Sequence, residues 1–374
     1  MNITIVAPVH IYSDVRVFQK EAKSLAANGY QVTLIARSDR RRLEDGVRIL
    51  PAPAASNRLK RFLSLFAVLR LALAERADIY HLHNPDTIPI AFALKLFRKR
   101  IIYDTHENFA QFILIKHWIP RVLRPPLALI VSWLEAAVSR VADRSIATEA
   151  GVVQRLGRNA VLIENPPVTQ GRLIDEARAS ARDLTRGDEF RLVYVGTISR
   201  ARGLDAMIDA LELVNQKRLC RLWLIGGGAD REIEEAQQRP GWAWVDYLGV
   251  LPQANAFGYM LKADVGLVTF LNMGGHAYLN PNKLFEYMLF GIPFIASDFQ
   301  AWRRLVDGVG AGVFADPAAI GEIADKINWL AEHPDERCKM ATRGSNFVLT
   351  NYNWETESKK LLMVYNSLTK VESI

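Results

Sequence analysis

Residues 1–36, MNITIVAPVHIYSDVRVFQKEAKSLAANGYQVTLIA, decide the fold class. The run Ile3–Ala7 is rich in β-branched residues and predicts a strand. The stretch Val15–Asn28 has apolar side chains at helical spacing, and Gly29 ends that helix before a second strand at Gln31–Ala36. A strand, a helix and a strand in this order predict a βαβ unit.

The same alternation continues along the rest of the chain. In the first half, helices are predicted at Arg58–Glu75 and Ile88–Phe97. Further strands are predicted at Ile79–Leu82, Arg100–Tyr103, Arg144–Ala147, Val161–Ile163, Arg191–Val195, Cys220–Ile225, Val245–Leu248, Val265–Thr269 and Pro293–Ala296. This alternation predicts two doubly wound, Rossmann-like α/β domains, each a parallel sheet with helices on both faces.

Polar and breaker residues between positions 164 and 188 predict the domain boundary. We expect an N-terminal domain at residues 1–165, a linker at 166–190 and a second domain at 191–352. A length of 374 residues favours two domains over one.

Composition argues for a protein of the cytoplasm. Two cysteines, Cys220 and Cys338, are too few for a disulfide framework or a zinc cluster. This low cysteine content is typical of proteins in a reducing compartment. The N-terminus lacks the charged region of a signal peptide. The longest uncharged apolar stretch, Pro125–Leu134, is shorter than the ~20 residues that span a bilayer, so no membrane crossing is expected.

Charge is concentrated in the first half of the chain. Residues 1–170 hold 24 Lys and Arg against 14 Asp and Glu, a net charge of +10, whereas the remainder holds 23 against 26. Nucleic acid, acidic lipid headgroups and a phosphorylated substrate are the candidate anionic partners, and a merely soluble basic surface is equally consistent. Nucleic acid is the weakest candidate, because the basic residues are not interleaved with aromatic ones.

The segment NPNKLFEYM (280–288) contains the most informative motif. Pro281 suits the first turn of a helix, whose free N–H groups and positive dipole end attract an anion, and Lys283 adds a full charge. Glu286 shares a face with Lys283 and Asn282, and its carboxylate can accept two hydrogen bonds from a diol such as a ribose. A surface helix with an ion pair is the alternative interpretation.

The longer run NKLFEYMLFGIP (282–293) resembles the donor-site signature of the retaining glycosyltransferases of the GT-B fold, in the large family-four group that builds bacterial polysaccharides and glycolipids. The resemblance covers nearly the whole chain. Its other segments, in matching order, are Ser13–Val17, Tyr103–Glu107, Ala142–Ile146, Val195–Leu204 and Tyr352–Trp354. It implies two Rossmann-like domains facing a central cleft, the first binding the acceptor and the second the donor, with a final helix at 353–374 packed back on the first domain.

The resemblance also implies residue roles in the second domain. Glu286 would hold the nucleotide ribose, while Arg202 and Lys283 would neutralise the departing diphosphate. The other donor-binding residues implied are Gly196, Thr197, Gly249, Val250, Asn282 and Leu284. No metal or other cofactor is then required, and the sequence lacks the Asp-x-Asp pair typical of metal-dependent glycosyltransferases of the other common fold.

In the first domain, the resemblance and the strand pattern select side chains after predicted strands. His106 matches a histidine that touches the donor sugar near the reacting carbon, and His106 or Glu107 would orient the sugar or handle the acceptor proton. His10 and Asp14 occupy the first such loop, on the acceptor side. Any one loop histidine is more often structural.

Two positions of the second domain depart from the family signature. Tyr278 stands where the family has a second Glu, although Gly274 and Gly275 can bring backbone N–H groups to the sugar. Thr197 stands where many members have Arg, which shifts phosphate charge onto Arg202 and Lys283.

The expected activity is transfer of a hexosyl group from a UDP- or GDP-sugar to a growing, lipid-linked glycan with retention at the anomeric carbon. A nucleotide-sugar 2-epimerase of the same fold and a non-catalytic partner that binds a sugar nucleotide are the alternatives. Cations in the first turns of a helix, Arg58, Lys60 and Arg61, predict contact with anionic lipid at the cytoplasmic face of the inner membrane or with a lipid-diphosphate acceptor. Lys116, Arg121 and Arg124 around Trp118 form a second basic patch.

Overall fold

The chain divides into two compact units. The computed structural model describes residues 1–53, 58–116, 119–273, 275–278 and 280–369. Unit 1 comprises Met1–Asn165 together with the chain from Trp354 onward, and unit 2 comprises Pro166–Asn353. Each unit contains one β-sheet, and the predicted fold class of two doubly wound α/β domains is confirmed.

Fourteen strands form these two sheets in the described residues. The strands of unit 1 are β1 (Asn2–Ile11), β2 (Gln31–Arg37), β3 (Arg42–Glu44), β4 (Val47–Pro51), β5 (Ile79–His83), β6 (Arg100–Thr105), β7 (Arg144–Ala147) and β8 (Ala160–Leu162). Those of unit 2 are β9 (Phe190–Val195), β10 (Cys220–Ile225), β11 (Val245–Gly249), β12 (Val265–Val268), β13 (Phe294–Ser297) and β14 (Gly312–Ala315). The spatial orders are 3-4-2-1-5-6-7-8 and 11-10-9-12-13-14, and every pairing is parallel except β3 with β4.

Helices connect the strands and cover the sheets. A π-helical segment, Val15–Ala22, leads directly into the first α-helix. The α-helices are α1 (Lys23–Ala27), α2 (Arg58–Ala74), α3 (Ile88–Leu96), α4 (Phe109–Ile115), α5 (Arg124–Val141), α6 (Ala150–Leu156), α7 (Arg172–Asp183), α8 (Leu204–Asn215), α9 (Asp230–Gln237), α10 (Gln253–Lys262), α11 (Asn282–Leu289), α12 (Gln300–Val306), α13 (Ile320–Glu332), α14 (Pro334–Asn351) and α15 (Trp354–Thr369).

Two short pieces of sheet were absent from the sequence prediction. Strands β3 and β4 form a hairpin whose turn residues, Asp45 and Gly46, both have positive φ (48° and 78°). An Asp-Gly pair is a strong signal for such a turn, so this hairpin could have been predicted. Strand β14 has only four residues and follows the glycine-containing stretch 308–310, which obscures its pattern.

Residues 166–190, expected as a linker, belong to unit 2. Helix α7 lies within them and buries Ile174 and Ala177. It packs closely on α10, since a Cβ at Gly258 would lie 2.7 Å from the Oγ of Ser180. Apolar residues at helical spacing therefore make this segment part of a domain.

The last helix, α15, packs within unit 1. The indole Nε1 of Trp354 donates to Ser24 Oγ at 2.8 Å, and the Tyr365 hydroxyl lies 2.8 Å from His81 Nδ1. Tyr365 is fully buried there. These contacts all lie within unit 1, the domain to which the resemblance assigns the last helix.

Candidate functional site

Two cations converge on the loop that follows β9 in unit 2. Gly196 has φ of +139°, and a Cβ built on it would lie 2.3 Å from Lys283 Nζ and 4.0 Å from Arg202 Nη1. Glycine adopts this φ readily, and any larger residue would require the end of the lysine side chain to move. Lys283 is thus close in space to Gly196 and Arg202, two other residues that the resemblance selects about 80 residues earlier in the sequence.

Neither of these cations has a carboxylate within ion-pair distance among the residues that the structure describes. Burial lowers the pKa of Lys283, the charge of Arg202 lowers it further, and Glu286 partly opposes both effects. The neighbouring Arg200 differs, because it pairs with Asp205 at 3.3 Å and with Glu235. Arg202 and Lys283 thus form a positive site that an anionic ligand would complete.

Helix α11 presents its polar residues on one face, as its spacing predicts. Phe285 is buried and stacks on Tyr352 with ring centroids 4.1 Å apart. Lys283 and Glu286 are partly exposed and Asn282 is exposed. Glu286 is therefore not turned into the core, which is the condition for a carboxylate that binds ligand.

The side chain of one predicted donor-binding residue, Leu284, is not accessible to a ligand. Leu284 is fully buried in the hydrophobic core of unit 2, and its backbone N–H donates to Pro281 O at 3.0 Å. It shapes the helix and contributes no exposed group, because the apolar face of α11 packs against the sheet.

The loops after β9, β10 and β11 form one continuous backbone surface. The Gly226 N–H donates to Gly249 O at 2.7 Å, and the Ile198 N–H donates to Gly227 O at 2.8 Å. A Cβ at Gly226 would lie 1.8 Å from Gly196 O, so the loops approach as closely as glycine permits. The carboxyl ends of these parallel strands lie at one edge of the sheet, where such folds bind ligands.

The remaining predicted donor residues of unit 2 lie along that edge. Thr197 is exposed, Val250 is 78% exposed, and the Cβ position of Gly249 opens onto free space. Gly274 and the side chain of Tyr278 lie outside the described residues.

In unit 1, Asn84 connects the two predicted histidines. Its Nδ2 lies 2.7 Å from His10 Nε2, and the His106 N–H donates to its Oδ1 at 3.5 Å. His10 Nδ1 in turn lies 3.0 Å from Asp14 Oδ2. His10, Asp14 and His106 are therefore brought together, and Glu107 lies beside them, exposed.

The backbone of Asn84 has an unusual conformation. Its φ of 68° and ψ of 163° fall in a region that is essentially restricted to glycine and costs ~1–3 kcal/mol. The residue is held there because its N–H donates to Asp104 O at 2.8 Å and its carbonyl accepts from Thr87 Oγ1 at 2.9 Å. Asn84 was not among the predicted site residues, and its only signal in the sequence is its place two residues after the predicted strand Ile79–Leu82.

Contacts between His10 and Asp14 set the pKa values of both side chains. Burial alone would raise the pKa of Asp14, but hydrogen bonds from His10 and from the Val17 N–H lower it to about 2. Burial would lower the pKa of His10, but the Asp14 carboxylate raises it above its ordinary value. The contact between His10 and Asp14 therefore favours the charged form of each group.

His106 is held neutral by its surroundings. Burial lowers its pKa to about 3, with Asp104 opposing and Arg16 adding to that effect. Its Nε2 lies 2.7 Å from Nδ1 of the fully buried His83. One ring nitrogen of His106 is thus used inside the protein, and only Nδ1 remains for a substrate.

Helix α5 combines a buried anchor with an exposed apolar face. Glu135, fully buried, accepts hydrogen bonds from Thr105 Oγ1 at 2.8 Å and Arg155 Nη1 at 2.9 Å. On the opposite face, Leu129 is 71% and Trp133 is 65% exposed. By length and composition alone, the stretch Arg121–Val141 is long and apolar enough to cross a membrane. Of its 18-residue apolar segment, 22% is buried inside the protein.

The predicted basic patches are only partly described. The side chains of Arg58, Lys60 and Arg61 lie outside the described residues, as does Trp118 of the second patch. Lys116 and Arg121 are exposed close to the amino end of α5.

Comparisons with known proteins agree with this architecture. Residues 15–168 match the family model described as Glycosyltransferase Family 4, and residues 189–333 match that described as Glycosyl transferases group 1. A phosphatidyl-myo-inositol mannosyltransferase of Mycobacterium leprae is 25% identical over 86% of this chain and 79% of its own length.

Solved structures show the same fold. A sucrose-phosphate synthase from Thermosynechococcus elongatus superposes with a TM-score of 0.77 and 18% identity, covering 100% of both chains. The Anabaena protein HepE, solved in complex with UDP, has a TM-score of 0.69 and 16% identity, and the match covers 98% of this chain and 100% of HepE.

Proposed function

This chain belongs to the GT-B glycosyltransferases of family four, and on that basis we propose that it transfers a hexosyl group from a UDP- or GDP-sugar to a growing, lipid-linked glycan with retention of anomeric configuration. The observation that carries the proposal is the pair Arg202 and Lys283 beside Gly196, two cations without a carboxylate partner in the described part of unit 2. Binding of UDP by HepE, a structural relative, supports a nucleotide donor.

The donor diphosphate would bind to this cation pair. As the sugar departs, negative charge builds up on the diphosphate, and fixed cations stabilise it without waiting for solvent to reorganise. Lys283 and Arg202 supply that charge, so we propose that transfer needs no metal ion. Glu286, partly exposed on the same face of α11, would accept hydrogen bonds from the ribose hydroxyls.

Retention follows in this proposal from attack on the face that the diphosphate leaves. The acceptor oxygen forms a bond to the anomeric carbon as the bond to the diphosphate breaks, and the acceptor proton passes to a leaving phosphate oxygen. No enzymic nucleophile takes part. His106, with its free Nδ1, and Glu107 would orient the sugar, while His10 and Asp14 would contact the acceptor.

Thermal unfolding with a panel of UDP- and GDP-sugars tests the donor proposal, because a ligand that binds only the folded state raises the unfolding temperature. Replacing Glu286 by Ala removes hydrogen bonds to a charged acceptor and should weaken donor binding about 10- to 100-fold. Glu234→Ala, an exposed glutamate on α9, is the matched control. Unchanged donor affinity in Glu286→Ala would reject the ribose assignment.

Incubation with the bound donor alone separates the activities that this fold supports. A transferase needs an acceptor for turnover, whereas an epimerase converts the sugar nucleotide without one. Donor binding without turnover on any lipid-linked acceptor would leave only a binding role.

We propose that unit 1 works at the cytoplasmic face of the inner membrane, where a lipid-linked acceptor is available. Helix α5 is anchored by Glu135 and exposes Leu129, Ile130 and Trp133, so it can lie in the headgroup region without crossing the bilayer. Exposed Lys116 near its amino end would attract anionic lipid.

Co-sedimentation with vesicles rich in phosphatidylglycerol tests this surface. Replacing Leu129, Ile130 and Trp133 by Ser should reduce the bound fraction several-fold, because each removes apolar area from the interface. The control replaces two exposed leucines of unit 2, Leu219 and Leu349, by Ser. Equal binding of both variants would contradict a role for α5.

A further inference from the structure

Four side chains of metal-ligating type meet in the interior of unit 1. His81 and His83 lie two residues apart on β5, so they point to the same face of the sheet. Asp104 follows them on the paired strand β6, in register with His83. Glu21 reaches the same place from the π-helical segment that follows β1. All four residues are fully buried.

The atoms that these residues direct at one another lack hydrogen-bond partners. They are Nε2 of His81, Nε2 of His83 and Oε2 of Glu21, whereas Oε1 of Glu21 pairs with Arg16 Nε at 2.9 Å. Buried polar atoms in native proteins are nearly always paired, because an unpaired one keeps its full desolvation cost. Several unpaired atoms at one point indicate a missing common partner.

Their spacing suits a metal ion. One ligand atom from each residue lies within 4.8 Å of all the others. His81 Nε2 is 3.4 Å from Asp104 Oδ2, and His83 Nε2 is 3.4 Å from Glu21 Oε2. Bonds of about 2.05 Å in a tetrahedral zinc site place neighbouring ligand atoms about 3.4 Å apart.

The second nitrogen of each histidine is already engaged. His81 Nδ1 lies 2.8 Å from the Tyr365 hydroxyl, and His83 Nδ1 lies 2.7 Å from His106 Nε2. A metal-binding histidine typically forms a hydrogen bond through the ring nitrogen that does not face the ion. This bond fixes the tautomer and leaves the lone pair of the second nitrogen for the ion.

The charge balance also favours a cation. Arg16 interacts with three carboxylates, those of Asp104, Glu21 and Asp14. With neutral histidines and ionised carboxylates, Glu21, Asp104 and Arg16 carry a net charge of −1, since Asp14 pairs with His10 outside this group. A bound cation would offset this negative charge, whereas uncompensated buried charge is strongly destabilising.

We propose that Glu21, His81, His83 and Asp104 bind one divalent transition-metal ion, of the zinc class, which stabilises unit 1. Two imidazoles and two carboxylates match the ligand preference of zinc and its first-row neighbours, while the absence of thiolate disfavours Cu(I). The ion is structural and takes no part in the donor chemistry of unit 2. This proposal can therefore be tested independently of the proposed function.

The test begins with metal analysis of the full chain, produced without a polyhistidine tag in zinc-supplemented medium and purified without chelators. We expect about one metal ion per chain by inductively coupled plasma mass spectrometry. The variant His83→Asn should lose the ion. The control His10→Asn replaces a neighbouring ring, 6.5 Å from that of His83, and should retain it.

Two measurements on the unaltered protein do not depend on a variant that folds. Dipicolinate treatment should lower the unfolding temperature, and ZnCl₂ should restore it. Adding CoCl₂ to the treated protein should produce the visible absorption of tetrahedral cobalt. The proposal is overturned if the protein contains no metal and gives no cobalt spectrum, or if His83→Asn folds and retains the ion.

Discussion

One cation of unit 1, Arg16, and two cations of unit 2, Arg202 and Lys283, are organised in opposite ways. In unit 1, Arg16 is 4% exposed and pairs with Glu21 at 2.9 Å and with Asp104 at 3.2 Å. In unit 2, Arg202 and Lys283 lie at the sheet edge with no carboxylate partner in the described residues. Charges paired inside a protein maintain its fold, whereas charges left unpaired at a strand edge are available to a ligand.

The comparison predicts its largest effect for Arg16. Replacing Arg16 by Leu leaves two buried carboxylates uncompensated and removes hydrogen bonds to the carbonyls of Ile163 and Glu164. We expect unit 1 to lose ~3–5 kcal/mol of unfolding free energy, measured by urea denaturation.

The control for Arg16 is Arg48, whose side chain is 56% exposed and pairs with Glu75. Arg48→Leu should cost ~1 kcal/mol or less, because solvent screens an exposed pair. Equal losses in the two variants would mean that burial does not distinguish these ion pairs.

The second prediction concerns Lys283. Replacing it by Ala removes one of two charges that stabilise the leaving diphosphate, so turnover should fall about 10²- to 10³-fold. Stability should not fall by a comparable amount, because burial already disfavours the charged lysine, as its lowered pKa indicates.

Arg200→Ala is the matched control for Lys283→Ala, since Arg200 lies in the same loop but is paired with Asp205 and Glu235. It should leave turnover near the unaltered value, as measured by release of nucleoside diphosphate. A Lys283→Ala variant that keeps its activity but loses stability would mean that Lys283 maintains the fold and does not serve the diphosphate.

The smallest predicted effect is the pH dependence of the His10–Asp14 pair. The pKa of Asp14 is lowered from 3.8 to about 2, so its stabilisation is present above 3.8 and is lost as the pH falls through about 2. The pKa of His10 is raised above 6.5, so its stabilisation is present below 6.5 and is lost as the pH rises through the folded value.

A double-mutant cycle with His10→Asn and Asp14→Asn measures this coupling. We expect ~1 kcal/mol between about pH 4 and 6.5, decaying toward zero in alkaline solution. A coupling that does not change with pH would indicate a neutral hydrogen bond instead of an ion pair.

Much of the fold was predictable because parallel strands buried on both faces have a simple local signature. Strand β6 was predicted at Arg100–Tyr103 and extends to Thr105, and strand β10 was predicted with its observed bounds. The helix at residue 282 was also predicted, with Glu286 on its polar face. The short strand β14 was missed because the glycine-containing stretch 308–310 before it obscures its pattern.

The sequence by itself determined the two α/β domains, their likeness to family-four glycosyltransferases and the polar face of α11, since these depend on spacing within one element. Only the tertiary structure decided that Lys283 lies across Gly196, that Asn84 joins His10 to His106, and that Glu21 meets Asp104. Those contacts join residues far apart in the chain, and strand order and register, which no local pattern encodes, bring them within a few ångströms.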